Sequence, residues 1–270
     1  MTPVELHRGD SPIVLGLPHT GTYVPENVLA DLNDRGRGLD DTDWYLHKLY
    51  GDLLPGVTTV RATFHRYVID ANRDPSGASL YPGQNTTGLV PLTDFEGRDI
   101  WDKVPDADEI EARRVAYHAP YHATMRAEMD RVRALHGIAI HYDCHSIRSQ
   151  IPFLFEGTLP DFNIGTDYGV TCDPSIEAAV TQICENADNY STVVNGRFRG
   201  GWTTRHYSQP EQGFHTIQME LAQSTYLTVE AAPWPYDTDK ADRLRVHLRD
   251  ILTKLADLAL TSTPALGGKP

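Results

Sequence analysis

Several things are scarce in this 270-residue chain, and each scarcity excludes something. There are three cysteines, Cys144, Cys172 and Cys184, with no CxxC pair among them. Such a set builds neither a disulfide framework nor a cysteine zinc site, so reduced thiols are expected. Positive charge is short: 24 Lys and Arg face 37 Asp and Glu, a formal net charge of −13. A nucleic-acid partner needs a basic stripe and is not expected here. No apolar run reaches the ~18 residues that suggest a bilayer span, so no membrane role is expected. The opening "MTPVELHRGD" lacks a basic-then-apolar leader, which makes a cytoplasmic protein the expectation. Sequons at Asn85 and Asn189 mean little without secretion. Repeats and low-complexity tracts are missing, as are GxGxxG, P-loop, GxSxG and HExxH motifs.

What is present is an alternation. Short apolar runs at residues 12–17, 57–62, 67–70, 137–142, 192–195 and 216–221 read as buried strands. Helical spacing appears at 41–54, through Trp44, Leu46, Leu49, Tyr50 and Leu53. A long helical stretch from Asp106 to Gly137 carries a kink at Pro120. The tail places Leu244, Leu248, Ile251, Leu255 and Leu258 on one face. Strands alternating with helices imply an α/β layer structure with a parallel or mixed sheet. The segment 74–101, rich in Gly, Pro, Asn and Thr, is too long for an ordinary connection. It reads as an ordered flap or lid.

Polar clusters sit where the strands end, the place where sites form in open α/β sheets. His19 follows the first of these runs, as either a structural histidine or a ligand. In "IAIHYDCHSIRS", strand alternation puts His141, Asp143 and His145 on one face and Tyr142 and Cys144 on the other. That geometry disfavours a Cys144–His145 dyad. It leaves a solvated strand end or a histidine site oriented by aspartate. Glu220 lies late in an apolar strand, where a carboxylate is costly unless paired, hydrogen-bonded or near a metal. Arg66, Asn72 and Arg73 in "FHRYVIDANRDP" suit a carboxylate ligand. So does the cluster Arg197, Arg199, Arg205 and His206, which in so acidic a chain suggests a small anion. His118 and His122 share a helix face, and Pro120 with the surrounding tyrosines favours packing roles for them.

In this order, "PHTG", "DTDW", "HRYVIDANRDPSG", "YPGQNTTGL", "HYDCHSIRS", "NGRFRGGWTTRHY" and "IQMELAQSTYL" resemble the N-formylglutamate amidohydrolase family. The resemblance runs from about residue 10 to about residue 235, and a single domain over residues 1–270 is expected. It implies a three-layer α/β/α fold with a mixed central sheet, similar to the zinc carboxypeptidases. It also implies metal-dependent hydrolysis of N-formyl-L-glutamate, a small-molecule substrate, to glutamate and formate in histidine degradation. By the same resemblance His19 and His145 are zinc ligands. The related metallopeptidases take a middle ligand three residues after the first histidine; here that residue is Thr22. Asp43 is the expected middle ligand, with Asp41 the alternative. Glu220 matches the general base and acid, and Arg66 the residue that polarises the scissile carbonyl. Asn72 and Arg73, with Arg199 or Arg205, are expected to hold substrate carboxylates. Zinc is the expected metal, and another divalent ion would satisfy the same ligands. Hydrolysis of another N-acyl or N-formimino amino acid, and metal-free binding of a dicarboxylate, are the competing readings.

Overall fold

A computed structural model of the chain describes residues 1–78 and 85–262. Its strands are β1 (Val4–His7), β2 (Ile13–Leu17), β3 (Thr58–Ala62), β4 (Ala139–Ile147), β5 (Phe162–Gly165), β6 (Thr192–Val194) and β7 (Phe214–Ala222). They form one sheet in the order β1-β3-β2-β4-β7-β5-β6. Neighbours β3, β2, β4 and β7 run parallel, whereas β1 pairs with β3 and β5 with β7 in antiparallel fashion. The sheet is therefore mixed. The central β4 and β7 are buried along their whole length, as expected for strands covered on both faces.

The helices are α1 (Glu26–Asp31), α2 (Asp34–Arg37), α3 (Leu46–Leu49), α4 (Ala107–Arg113), α5 (Ala119–His136), α6 (Pro174–Glu185), α7 (Trp202–Tyr207) and α8 (Thr238–Ser262). Leu244, Leu248, Ile251 and Leu255 of α8 join Ile176 and Val180 of α6 and Leu46 of α3 in one core, with Tyr142 and Cys144 of β4. Tyr121, Met125, Met129 and Val132 of α5 build the opposite core against Val14 and Val60. Helices thus cover both faces, giving the three-layer α/β/α fold.

Some expectations needed correction. The run 67–70 is no strand. Tyr67, Val68 and Ile69 are apolar because they are buried, but β3 already has a neighbour on each edge. Their backbone turns instead, with the Val68 N–H donating to His65 O and the Asp70 N–H to Leu89 O. Helix 41–54 shrinks to the single turn α3, since Asp41 and Asp43 spend their carboxylates on distant partners and Tyr45 adopts a left-handed φ of 59°. Strands β1 and β5 carry too few apolar residues to stand out in the sequence. The irregularity before Pro120 is a π-helical turn, Arg114–His118, between α4 and α5. Proline has no N–H to donate and its ring crowds the carbonyl four residues back, and a widened turn relieves both problems.

Gly137 ends α5 with a left-handed φ of 75°, its N–H donating to Arg133 O at 2.8 Å. An L side chain is strained there. Gly137→Ala is expected to lower the unfolding free energy by about 1 kcal/mol, read by chemical denaturation; an unchanged midpoint would show that the turn relaxes without cost.

Candidate metal centre and active site

The site forms where β2, β3, β4 and β7 end. Beyond β2, Gly21 lets the chain run against the chain leaving β3. A Cβ on Gly21 would stand 2.3 Å from the Thr63 carbonyl carbon. The Tyr23 N–H donates to Thr63 O and the His65 N–H to Tyr23 O, so the segments carrying His19 and Arg66 lie side by side. The Asp43 N–H donates to His19 O at 3.1 Å, and the Ser146 N–H donates to Asp43 Oδ2 at 3.2 Å. Asp43 is thereby tied to both ends of the site. His145 and Glu220 are register partners on β4 and β7, which makes them neighbours on one face.

Two carboxylates orient the two imidazoles. His19 Nε2 lies 2.6 Å from Asp70 Oδ1, and His145 Nε2 lies 3.0 Å from Asp143 Oδ1. Each ring therefore turns Nδ1 inward. His19 Nδ1 is 3.8 Å and His145 Nδ1 3.5 Å from Asp43 Oδ2. His19, Asp43 and His145 each offer a ligand atom, all within 4.8 Å of one another, and all three residues are buried. Ligands at ~2 Å around a tetrahedral ion stand ~3.3 Å apart, so the set matches a divalent cation with modest contraction. The buried His19 Nδ1 has no hydrogen-bond partner among the described residues. A buried imidazole nitrogen left open beside a carboxylate is what a metal ligand requires.

The surrounding charges are steep. Burial and the Arg66 guanidinium push His19 below the usual histidine range, favouring the neutral, ligating form. Burial acts the same way on His145, but the carboxylates of Asp143, Asp43 and Glu220 outweigh it and raise that ring's affinity for a proton well above the ordinary range. Burial pushes Glu220 up to about 8 against the pull of His145 and Arg66. Asp70 stays well below the ordinary carboxylate range: burial opposes ionisation, and Arg73, His19 and Arg66 overcome it.

A cavity of about 350 Å³ opens on this centre. Its lining includes His19, Arg66, His145, Gln218 and Glu220, with Arg73, Arg197 and Arg199 bringing further positive charge. The expected residues fall into distinct places. Arg66 donates from Nη2 to Asp43 Oδ1 and lies 4.9 Å from the Phe95 ring centroid. Asn72 lines the cavity, yet its Oδ1 accepts from the Thr203 N–H at 2.9 Å and its Nδ2 stands 3.2 Å from His145 Nε2. Arg73 donates to Thr87 O, Thr87 Oγ1 and Asn72 O, and its Nη1 is 3.6 Å from Asp70 Oδ2. Arg199 donates to Tyr168 OH. Arg205 is not among the lining residues; its guanidinium pairs with Asp167 Oδ2 at 2.9 Å. Asp41 is likewise outside the group, accepting from Tyr67 OH and the Phe95 N–H, and Thr22 is exposed. His141 sits 3.8 Å from Asp143 without touching the centre. His118 and His122 reach the carbonyls of Arg73 and Ala71, bracing the segment that carries Asn72. Residues 74–78 and 85–89 line the cavity in part, while 79–84 of the expected flap, including Tyr81 to Gln84 of "YPGQ", lie outside the described residues.

Sequence reasoning missed Asp70, Gln218, Thr203, Thr204 and the cavity position of Arg197. Asp70 carried a signal, since it closes an apolar run just as Glu220 does. The threonines carried none.

Fold and site define a class: an α/β protein whose central strand ends hold a buried two-histidine, one-carboxylate group able to take a divalent cation beside a glutamate. A family model for N-formylglutamate amidohydrolase matches residues 11–227, and the chain belongs to that family. It is 43% identical over 255 residues to an N-formylglutamate deformylase of Pseudomonas aeruginosa, covering 93% of this chain and 95% of that one. A Pseudomonas putida N-formylglutamate deformylase is 42% identical over 257 residues, with the same coverage of both chains. The crystal structure of an N-formylglutamate amidohydrolase from Ralstonia eutropha JMP134 superposes with a TM-score of 0.82 at 22% identity, covering 97% of this chain and 100% of that one. This last likeness speaks for the fold.

A cation entering the centre must displace the proton that His145 holds above its ordinary range. Affinity for zinc should therefore weaken as pH falls, by roughly tenfold per unit for each proton expelled. Calorimetry in buffers of differing ionisation enthalpy checks this; zinc affinity constant from pH 6 to 8 would contradict the placement.

Proposed function

We propose that this protein hydrolyses N-formyl-L-glutamate to L-glutamate and formate, as the last step of a histidine degradation route in the cytoplasm. The observation that carries the reading is the convergence of Asp43, His145 and the His19 Nδ1, which has no hydrogen-bond partner among the described residues, at a cavity that also receives Glu220 and Arg66. The names of the Pseudomonas relatives supply the substrate. His19, Asp43 and His145 hold the cation, zinc in the first instance, which when bound supplies Lewis-acid activation of water and of the formyl carbonyl.

The chain's own groups do the rest. Glu220 takes the proton from the attacking water and returns it to the amide nitrogen as the C–N bond breaks. A carboxylate whose affinity for protons is raised by burial suits both halves of that task. Arg66, paired with Asp43 yet lining the cavity, faces the negative charge that develops on the carbonyl oxygen. Asp70 and Asp143 keep the imidazoles in the tautomer that presents Nδ1. Arg197 and Arg199 lie in the lining and attract the substrate carboxylates. Arg73 contributes charge from beside Asp70, and Asn72 holds the α7 segment at Thr203. The cavity volume falls at the low end of the ~300–1,000 Å³ usual for small-molecule sites.

Formate release from N-formyl-L-glutamate, measured with and without chelator, tests the reading directly; a metal-loaded chain with no turnover would refute it. Replacing His145 by Ala should remove bound metal and activity together from a folded protein, whereas full metal occupancy in that variant would contradict the ligand assignment. Glu220→Gln should keep the metal and lose roughly 100- to 10,000-fold in kcat. Near-native turnover would dismiss Glu220 as the base.

A further inference from the structure

The Glu220 carboxylate has one hydrogen-bond donor among the described residues. It is the side-chain amide of Gln218, whose Nε2 lies 3.2 Å from Glu220 Oε2. Both residues belong to β7 and, two apart, share a face. The orientation of this amide is fixed from its other end. Gln218 Oε1 accepts from the Gly201 N–H at 2.7 Å, so the amide cannot flip without setting Oε1 against a carboxylate and NH₂ against an N–H. Thr204 Oγ1 stands 3.4 Å from the same Oε1 and 2.8 Å from Asp143 Oδ2. A hydroxyl has one proton to give, and the shorter contact to the charged oxygen takes it. The Gly201 backbone is therefore what aims Gln218. Gly201 itself admits no side chain, because a Cβ would meet Asn72 Nδ2 at 2.4 Å.

We infer that Gln218 is the positioning residue for Glu220. It holds Oε2 so that the other carboxylate oxygen is the one presented to the cavity, where water is deprotonated and the amine protonated. The inference rests on the reading of Glu220 as general base. It adds that the segment before α7 reaches the base through one amide, while Thr203 and Thr204 of α7 reach His145 through Asp143. In-register pairing of Asp143 with Gln218 puts the two relays side by side across β4 and β7. Glu220 and His145 are thus both oriented from the 201–204 stretch.

Two substitutions separate this role from simple support of the fold. Gln218→Glu keeps an acceptor for the Gly201 N–H and replaces the donor to Glu220 with an oxygen. The new carboxyl either repels Glu220, turning its oxygens out of their set orientation, or shares a proton with it, occupying the electron pair that base catalysis needs; either way the base is compromised. Gln218→Met removes both contacts. With zinc-loaded protein and N-formyl-L-glutamate, Gln218→Glu should lose roughly 10- to 100-fold in kcat while KM stays within about threefold and zinc content is unchanged. Gln218→Met should lose kcat similarly and also raise KM, because the segment carrying Arg199 is released. In a Glu220→Gln background, Gln218→Glu should cost nothing further. The inference is overturned if Gln218→Glu keeps kcat within about threefold of the parent, or if its loss adds in full to that of Glu220→Gln. A parent chain that releases no formate sinks the reading of Glu220 and this inference with it; parental turnover beside an unaffected Gln218→Glu sinks the inference alone.

Discussion

The centre depends on two buried carboxylate–imidazole hydrogen bonds that lie behind it. Asp70 grips one imidazole and Asp143 the other, each through Nε2, and only because both grips are made do the opposite nitrogens face the same point. A lone buried carboxylate would be protonated or expelled. Here Arg73 stands by Asp70, while His145 and His141, with the hydroxyls of Thr203 and Thr204, stand by Asp143, so each carboxylate has the company that keeps it ionised. Loss of either aspartate would leave its histidine free to rotate.

The sheet explains why such groups can be gathered at all. Parallel β2, β4 and β7 point their carboxyl ends the same way, and register alone sets His145 beside Glu220. Apolar cores on both faces hold these strands rigid up to their last residues, so polar side chains are carried on a scaffold that does not yield. The loops contribute what strands cannot. Asp43 arrives from a segment prevented from becoming helix by its own side-chain bonds, and its neighbour Tyr45 bears the backbone strain of that arrangement. Local propensity lost to a functional requirement at this point.

Much of this was legible in the sequence, and the reasons differ by residue. The three-layer architecture follows from apolar runs alternating with helical spacing, and the long buried strands β4 and β7 were visible because strands covered on both sides are apolar throughout. His19, His145 and Glu220 stood out because titratable groups at the ends of such runs are costly without a purpose. Residues 67–70 misled for the complementary reason: burial alone, without strand pairing, also selects apolar residues. Arg205 and Arg197 could not be told apart, since membership of a cationic cluster says nothing about which side chain turns toward the cavity. Gln218, Thr203 and Thr204 were invisible because uncharged polar residues in a strand or short helix have no pattern of their own, and the contacts that fix their orientation, to Gly201, Asn72 and Asp143, lie more than a dozen residues away.

The π-helical turn at Arg114–His118 has a consequence for what changes the molecule can tolerate. One residue of α-helix corresponds to about 100° of rotation. The widened turn sets the angular phase in which the ring of His118 meets the carbonyl of Arg73 while His122, one turn further along, meets that of Ala71. Shortening the helix by a single residue there would restore ideal backbone geometry and swing the two rings out of phase. The segment that carries Asn72 would then lose a support, although no residue of the candidate site had been altered. An apparent flaw in a surface-spanning helix is in this sense a gauge block: its extra thickness is the dimension to which the opposite side of the cavity is set.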